Sequence, residues 1–306
     1  MVRLWVANTD RDWFDFLSAQ PNLDEVNFWQ PSGNAGFAAI QPGELFLFRL
    51  KSPRNAIGGY GVFSHASNLP ISLAWDAFGI KNGARNLTEM RQRVERYRHE
   101  RSALHEDYTI GCRIVTQPTF FPESLWISQP ESWGRSIVVG KTYSAEDREG
   151  FELWQQILDR SGAIHENASS GFAEAPARYG EPALFTPRLG QGAFRISVTD
   201  AYKRECAVSG GKVLPALDAA HIQPYALGGS HTFRTAYCFA AIFTASSMRA
   251  TSRSTSSTAL SSASASESTL TTAMNISACT VHFLPFRLSW PAQAALRWHN
   301  ENVFRR

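Results

Sequence analysis

The side chains that could do chemistry concentrate in one short segment, at positions 188–231. Asp218, His221 and His231 lie close together there. An imidazole titrates near pH 7, so a histidine can accept a proton from water or, when neutral, bind a metal ion. A carboxylate is a suitable ligand for a divalent cation. A lone histidine is more often a packed or surface residue, so the pattern around it must decide.

The elements that should position these residues follow from the local pattern. In chain order they are a helix opened by 188–195, a strand at 206–208, a turn at 209–212 and a return strand at 213–217. The return strand delivers Asp218 and His221. Because side chains alternate along a strand, Asp218 is expected on the same face as Ala220 and on the opposite face from His221.

This succession resembles the first half of an HNH nuclease, the ββα-metal fold. The pieces are Gly-Gln-Gly-Ala-Phe-Arg at 190–195, Cys-Ala-Val-x-Gly at 206–210, Ala-Ala-His-Ile-x-Pro-Tyr at 219–225 and Gly-Gly-x-His at 228–231. The resemblance implies that His221 takes the proton from the attacking water, and that a divalent cation, magnesium or manganese, stabilises charge at the phosphate. Ala220 stands where many members carry a metal ligand, so Asp218 and His231 are the candidate ligands.

The second half of the motif is missing. After Gly-Gly-x-His the family shows Asn-Gly, a run of leucines and a metal-binding His before Leu-Phe-Asp-x-Gly, and the chain has none of these at 232–251. A one-base change of frame across 232–251 is consistent with the translation VSNGLLLRSDIHRLFDAGY, which restores them. Ser and Thr make up 20 of the 37 residues at 244–280, and Glu267 is the only acidic residue from 219 to 300. We therefore expect a frameshifted, low-complexity and disordered segment at 232–290, followed by a family-like tail at 291–306.

The first 140 residues are rich in aromatic side chains and predict a mixed sheet with one or two helices. Apolar runs predict strands at 4–7, 26–29, 45–48, 56–66 and 108–116. Thr9 or Asp10 is placed to cap a helix, and apolar residues at helical spacing predict another helix at 87–104. The glycines within 58–61 indicate a bulge or a close approach of a ligand or of backbone. A small barrel accounts for these strands.

This order resembles the PUA-like superfold, as in EVE and SRA-type readers of modified bases. The matching pieces are Trp5, the strand at 42–48 that begins Pro-Gly-Glu, and the segment Ile-Gly-Gly-Tyr-Gly-Val-Phe at 57–63. Such domains hold a flipped base in an aromatic pocket. The resemblance implies the pocket candidates Trp29, Tyr60, Trp75 and Phe78, with Asn8, Asn27 or Asn82 as hydrogen-bonding partners. The alternative is that these aromatic residues form an ordinary core.

Composition limits the class of protein, its cellular compartment and its partners. With 306 residues, of which 43% are hydrophobic and 19% charged, the chain can build two cores, which excludes a fully disordered or collagen-like protein. No apolar run is long enough for a membrane helix, and the first apolar run is too short for a signal peptide. Four scattered cysteines favour a reducing cytoplasm and disfavour a cysteine-based zinc site. The net charge of +3 is compatible with a nucleic-acid partner.

Together these patterns predict an α+β chain. It has a PUA-like mixed β-barrel at 1–140 and a linker with a helix at 141–184. The incomplete ββα-metal HNH domain follows, with its first half at 185–231. The preferred function is a restriction-type endonuclease acting on double-stranded, modified DNA, compatible with a homodimer and impaired as written. One alternative is a non-catalytic nucleic-acid-binding protein with a decayed nuclease domain. A third interpretation is an enzyme that uses His221 with His231 in another hydrolysis.

Overall fold

The computed structural model describes residues 1–33, 36–98, 103, 106–167, 181–207, 210–221 and 236–240. The chain divides into two compact units, Met1–Ala193 and Phe194–Arg306. Most of the expected low-complexity segment at 232–290, all of the tail at 291–306, and His231 lie outside the described residues. Within the described part of the chain, no helix is both long and apolar enough to cross a membrane.

A mixed seven-stranded sheet forms the centre of the first unit. Its strands are β1 (Arg3–Thr9), β2 (Glu25–Gln30), β3 (Leu45–Leu50), β4 (Ala56–Pro70), β5 (Thr109–Phe120), β6 (Ile127–Ser128) and β7 (Gly140–Ser144). The spatial order is β2-β5-β4-β3-β1-β7, and β6 pairs with the start of β4. β1 and β3 run parallel, whereas the other pairs are antiparallel. The α+β class and the mixed sheet are therefore confirmed.

The sheet is open, so the expectation of a closed barrel is wrong. In the described part of the chain, β2 and β7 are its two edges and do not pair with each other. The sheet is nevertheless strongly rolled, since the ring of Phe28 on β2 lies 4.9 Å from that of Phe46 on β3, although β5 and β4 stand between these strands in the order. Packing of aromatic rings inside the roll holds its two sides together without a closing ladder of hydrogen bonds.

The glycines of β4 confirm the expected close approach of strands. The register of β4 against β5 shifts twice. A Cβ on Gly59 would lie 2.4 Å from the carbonyl oxygen of Thr119, and a Cβ on Gly61 would lie 2.4 Å from a methyl carbon of Val115. Because real Cβ atoms do not approach so closely, these two positions need glycine for β4 and β5 to stay paired.

Three short helices accompany the sheet, α1 (Arg11–Ser18), α2 (Ile71–Phe78) and α3 (Leu87–Glu95). Asp10 caps α1, as the sequence predicts, by accepting a hydrogen bond from the Trp13 N–H at 3.1 Å. α3 begins where expected but ends at Glu95 instead of continuing to 104. The N–H groups of Tyr97 and Arg98 bond carbonyls three residues back, the tighter pattern that commonly ends a helix.

A helix that the sequence placed in a linker packs instead into the core of the first unit. α4 (Arg148–Asn167) buries Leu153 and Trp154 in the same hydrophobic cluster as Leu4. β7 also lies beyond the expected boundary and pairs with β1. The first unit therefore extends to Ala193 rather than ending at 140, because these elements complete its core.

The second unit contains most of α5 (Gln191–Ala201), together with a two-stranded sheet of β8 (Leu217–His221) and β9 (Ala236–Ala240). Among the described residues of 206–207 and 213–217, the expected pairing of strands is not present. A 3-10 turn at Leu214–Ala216 precedes β8, and β8 pairs antiparallel with β9. Pro215 explains the difference, because proline has no N–H to contribute to a ladder of strand hydrogen bonds.

Candidate catalytic strand and nucleic-acid interface

His221 stands at the end of a strand, as the sequence predicts. It is the last residue of β8, and its partner in the ladder is Ala236 on β9. Three positions earlier, the Asp218 Oδ1 accepts a hydrogen bond from the Ala219 N–H at 2.9 Å and lies 3.8 Å from the Arg195 Nε. β9 lies within the segment 232–251 for which a change of frame is predicted.

Arg195 connects α5 to the strand that carries His221. Its Nε and Nη2 donate to the Leu217 carbonyl at 3.2 and 2.9 Å, and Nη2 also lies 3.4 Å from the Pro215 carbonyl. The planar guanidinium fixes the directions of these donors, so it holds the start of β8 in one orientation. The arginine that closes the Gly-Gln-Gly-Ala-Phe-Arg segment therefore acts as a positioning residue.

The described residues of the Cys-Ala-Val-x-Gly segment bond one another and β9. The Cys206 N–H donates to Gly211 and the Gly210 N–H donates back to Cys206, both at 2.9 Å, while the Ala207 N–H donates to the Cys238 carbonyl at 2.8 Å. Gly210 has a φ of +67°, which favours glycine. Burial raises the pKa of the Cys238 thiol to about 12. This thiol is therefore protonated near neutral pH.

The described residues do not make up a divalent-metal site. Among them, no group of three or more His, Cys, Asp and Glu side chains is placed to hold an ion. The carboxylate of Asp218 is 48% exposed and faces the Arg195 guanidinium. His231 lies outside the described residues, so its role as a metal ligand stays a prediction.

A buried carboxylate of the first unit holds the first turn of α5. Glu25, at the start of β2, is fully buried and accepts hydrogen bonds from the Gly192 and Ala193 N–H groups at 3.0 Å each. Lys81 lies 3.1 Å from the same carboxylate. A Cβ on Gly190 would lie 2.4 Å from the Glu25 carboxyl carbon. Glycine at 190 is what lets the backbone approach this carboxylate.

Two of the aromatic residues expected to form a base pocket, Trp29 and Tyr60, make hydrogen bonds inside the protein. Trp29, Tyr60 and Phe78 are buried, and Trp75 is half-buried. The Trp29 indole donates to the Asn82 carbonyl at 3.0 Å, and the Asn27 amide donates to the Asn82 side chain at 2.9 Å. The Tyr60 hydroxyl accepts from Ser161 at 2.8 Å. Their role in base recognition stays a prediction.

A pocket of about 360 Å³ lies where the carboxyl ends of β1 and β3 meet, and we call it the cation pocket. Four of its lining side chains are cations and two are carboxylates, namely Arg11, Lys51, Arg54 and Arg96 with Asp10 and Asp12. Two adjacent parallel strands end at the same edge of a sheet, which is a common place for ligands. The volume is within the range of small-molecule pockets.

Lys51 is the cation of this pocket that has no carboxylate partner among the described residues. Arg96 bonds Asp12 at 2.9 Å, and Arg54 bonds Asp15 at 2.7 Å. The Lys51 ammonium instead lies 5.1 Å from an aromatic ring centroid. Its charge is therefore available to an anionic ligand.

That ring belongs to Tyr97, which gives the cation pocket an aromatic surface. Its side chain is 43% exposed, and its hydroxyl donates a hydrogen bond to Asp10. Burial, aided by the Asp10 carboxylate, raises the pKa of Tyr97 to about 12, so the ring is uncharged near pH 7. Trp29 lies behind it with a centroid separation of 6.4 Å. Of the four aromatic residues predicted to form a base pocket, Trp29 is therefore the one that packs against Tyr97.

A second cation at the same sheet edge is held by neutral amides. Arg49, paired in register with Asn8, donates to the side-chain oxygens of Asn8 at 2.5 Å, Asn55 at 3.0 Å and Gln129 at 2.5 Å, and it stacks over Trp133 at 4.7 Å. Burial lowers the pKa of Arg49. Of these residues, the sequence predicts a binding role only for Asn8. The one sequence feature that points to the others is Arg49 itself, a single arginine inside the apolar run at 45–50.

Comparison with known proteins does not assign this chain to a family. No family model matches it. No curated protein matches it either.

Proposed function

We propose that this chain is a DNA endonuclease of the HNH type, guided by a PUA-like reader of modified bases, whose nuclease motif has lost its second half. The observation that carries this proposal is the contact between Arg195 and the start of β8. It ties the Gly-Gln-Gly-Ala-Phe-Arg piece to Leu217, the first residue of the strand that ends at His221.

In this proposal His221 is the general base. Its position at the end of β8 suits a proton acceptor that must meet water and DNA, and a neutral imidazole can accept a proton near pH 7. Magnesium or manganese remains the proposed cofactor, with His231 and Asp218 as candidate ligands. The Asn and His that the alternative frame supplies would complete the motif.

The cation pocket supports DNA as the ligand of the first unit. The uncompensated charge of Lys51 suits a backbone phosphate, and the exposed ring of Tyr97 offers a stacking surface for a base. Arg49 adds a second positive charge at the same edge, surrounded by amides rather than carboxylates. We propose that a modified base is read here, with Trp29 supporting the Tyr97 ring from the interior.

A cleavage assay tests the nuclease proposal. We expect the chain as written to be almost inactive on modified duplex DNA with magnesium or manganese. A chain rebuilt with VSNGLLLRSDIHRLFDAGY from 232, followed by the frame-corrected remainder, should cleave. In the rebuilt chain His221→Ala should abolish cleavage, whereas the matched change His65→Ala in the first unit should leave it. Full cleavage by the rebuilt His221→Ala chain would show that the base is assigned incorrectly.

The second candidate is a nucleic-acid-binding protein without catalysis, which the cation pocket favours. Fluorescence anisotropy with plain and modified duplexes, at several salt concentrations, measures the reader by itself. Lys51→Gln should weaken binding and reduce its salt dependence, while Arg148→Gln, an exposed charge on α4, should not. Binding without cleavage by the rebuilt chain would favour this second candidate, and equal affinity for plain and modified DNA would refute the reader.

A further inference from the structure

Arg113, in the middle of β5, is a buried cation for which the described residues provide no anion. Its side chain is 9% exposed, and its Nη1 is buried without a hydrogen-bond acceptor among those residues. Burial alone lowers its pKa to about 10, so the guanidinium still carries its charge near pH 7. Because an unpaired buried charge is costly, this arginine requires a compensating partner.

A second donor without an acceptor lies beside it. The Trp5 Nε1 is also buried and bonds no acceptor in the described part of the chain. The Trp5 ring centroid is 6.0 Å from the Arg113 Cζ, and that of Phe37 is 4.2 Å away. Trp5 and Phe37 are themselves edge-to-face at 5.4 Å, and both are half-buried. Arg113 and Trp5 therefore each have a buried donor without an acceptor among the described residues, and the half-buried Phe37 ring lies beside both side chains.

None of these three residues lines the cation pocket. In the ladders of β4, Arg113 pairs with Ala66, whereas Leu50, which lines the cation pocket, pairs with Ala56. Arg113 and the cation pocket therefore meet β4 at different positions.

We propose that Trp5, Phe37 and Arg113 form a binding site for the phosphate group of a mononucleotide. A guanidinium can present two parallel N–H donors to a phosphate, and the indole N–H can supply a third. The aromatic rings provide flat apolar surfaces for the base of the same ligand. Nη1 is covered in the ligand-free protein, so binding requires the half-buried Phe37 ring to rotate. This site is independent of the nuclease and reader proposals.

Isothermal titration of the full chain with inorganic phosphate, deoxyadenosine monophosphate and deoxyadenosine separates the contributions. The monophosphate should bind, phosphate alone should bind more weakly, and deoxyadenosine should fail. Arg113→Gln should weaken monophosphate binding by about tenfold or more, because a charge-assisted hydrogen bond is lost. Trp5→Phe keeps a ring but removes the N–H donor, and it should weaken binding several-fold. Arg148→Gln should match the unmodified protein.

Thermal melting shows whether Arg113 has only a structural role. Without ligand, Arg113→Gln should melt at the same or a higher temperature, since the variant removes an uncompensated buried charge. Monophosphate should raise the melting temperature of the unmodified protein and not that of the variant. Loss of the fold in Arg113→Gln, an absence of binding by the unmodified protein, or full binding by the variant would each overturn the proposal.

Discussion

Glu25 should be one of the most sensitive polar positions in the first unit. Its carboxylate is fully buried and accepts two N–H groups at the start of α5, at 3.0 Å each, beside Lys81 at 3.1 Å. These N–H groups are helix N-terminal donors that have no partner within the helix. The carboxylate satisfies both donors and places negative charge at the positive end of the helix.

The change Glu25→Gln keeps the shape of the side chain but leaves one acceptor oxygen for the two donors. One charge-assisted hydrogen bond is lost, worth about 1.5–3 kcal/mol, and the amide NH₂ then faces a buried N–H. We expect a loss of about 3 kcal/mol in the free energy of unfolding. At about 2–4 °C per kcal/mol for a domain of this size, the melting temperature should fall by about 6–12 °C.

Asp24→Asn provides a matched control. Asp24 also pairs with Lys81, at 2.6 Å, but its side chain is 52% exposed. Exposed ion pairs contribute about 0–1 kcal/mol, so this variant should melt close to the unmodified protein. Scanning calorimetry of both variants measures the difference. If Glu25→Gln shifts the melting temperature no more than Asp24→Asn, the cap on α5 does not stabilise the unit and this reasoning fails.

Three further experiments test the packing and the titration of Cys238, Tyr97 and Gly59. Because the pKa of Cys238 is raised to about 12, iodoacetamide should label it at pH 8 only after unfolding in urea. Tyr97 has a pKa of about 12 in the folded protein against an ordinary value of 10.0, so folding favours its protonated form. The resulting contribution to the free energy of unfolding should be complete below pH 10 and be lost as the pH rises from 10 to 12. This pH dependence should be absent from Tyr97→Phe. Gly59→Ala would place a Cβ 2.4 Å from the Thr119 carbonyl and should cost more than about 2 kcal/mol in urea unfolding, whereas Gly134→Ala, with 3.6 Å to its nearest neighbour, should be nearly neutral.

Local signals in the sequence predicted local structure well. The apolar run at 45–48, the cap at Asp10 and the close approach at the glycines of β4 are all present. Each depends on a few neighbouring residues, so periodicity and turn chemistry suffice to identify it. The length of α3 was overestimated, since helical spacing in a sequence does not reveal where backbone bonds tighten.

The cluster of amides around Arg49 depends on pairings that the sequence does not carry locally. Asn8 and Arg49 meet only because β1 and β3 are parallel neighbours, and Gln129 and Trp133 join them from much further along the chain. Parallel pairing is a long-range property, and the apolar pattern of a strand does not select its neighbour. Likewise, α4 has the periodicity of any amphipathic helix, and only its packing distinguishes a core helix from a linker.

The contacts of the segment from 190 to 211 do not depend on whether the protein cleaves DNA. Gly190 is needed for the approach to Glu25, Arg195 holds the start of β8, and Gly210 adopts a left-handed conformation beside Cys206. Each of these is a structural requirement that a protein without catalysis would share. His221 is different, because the end of a strand imposes no need for histidine on backbone grounds. The distinction between an impaired nuclease and a binding protein without catalysis therefore depends on His221 and on the sequence after 231. Cleavage assays of the rebuilt chain and of its His221→Ala variant test these two parts of the protein.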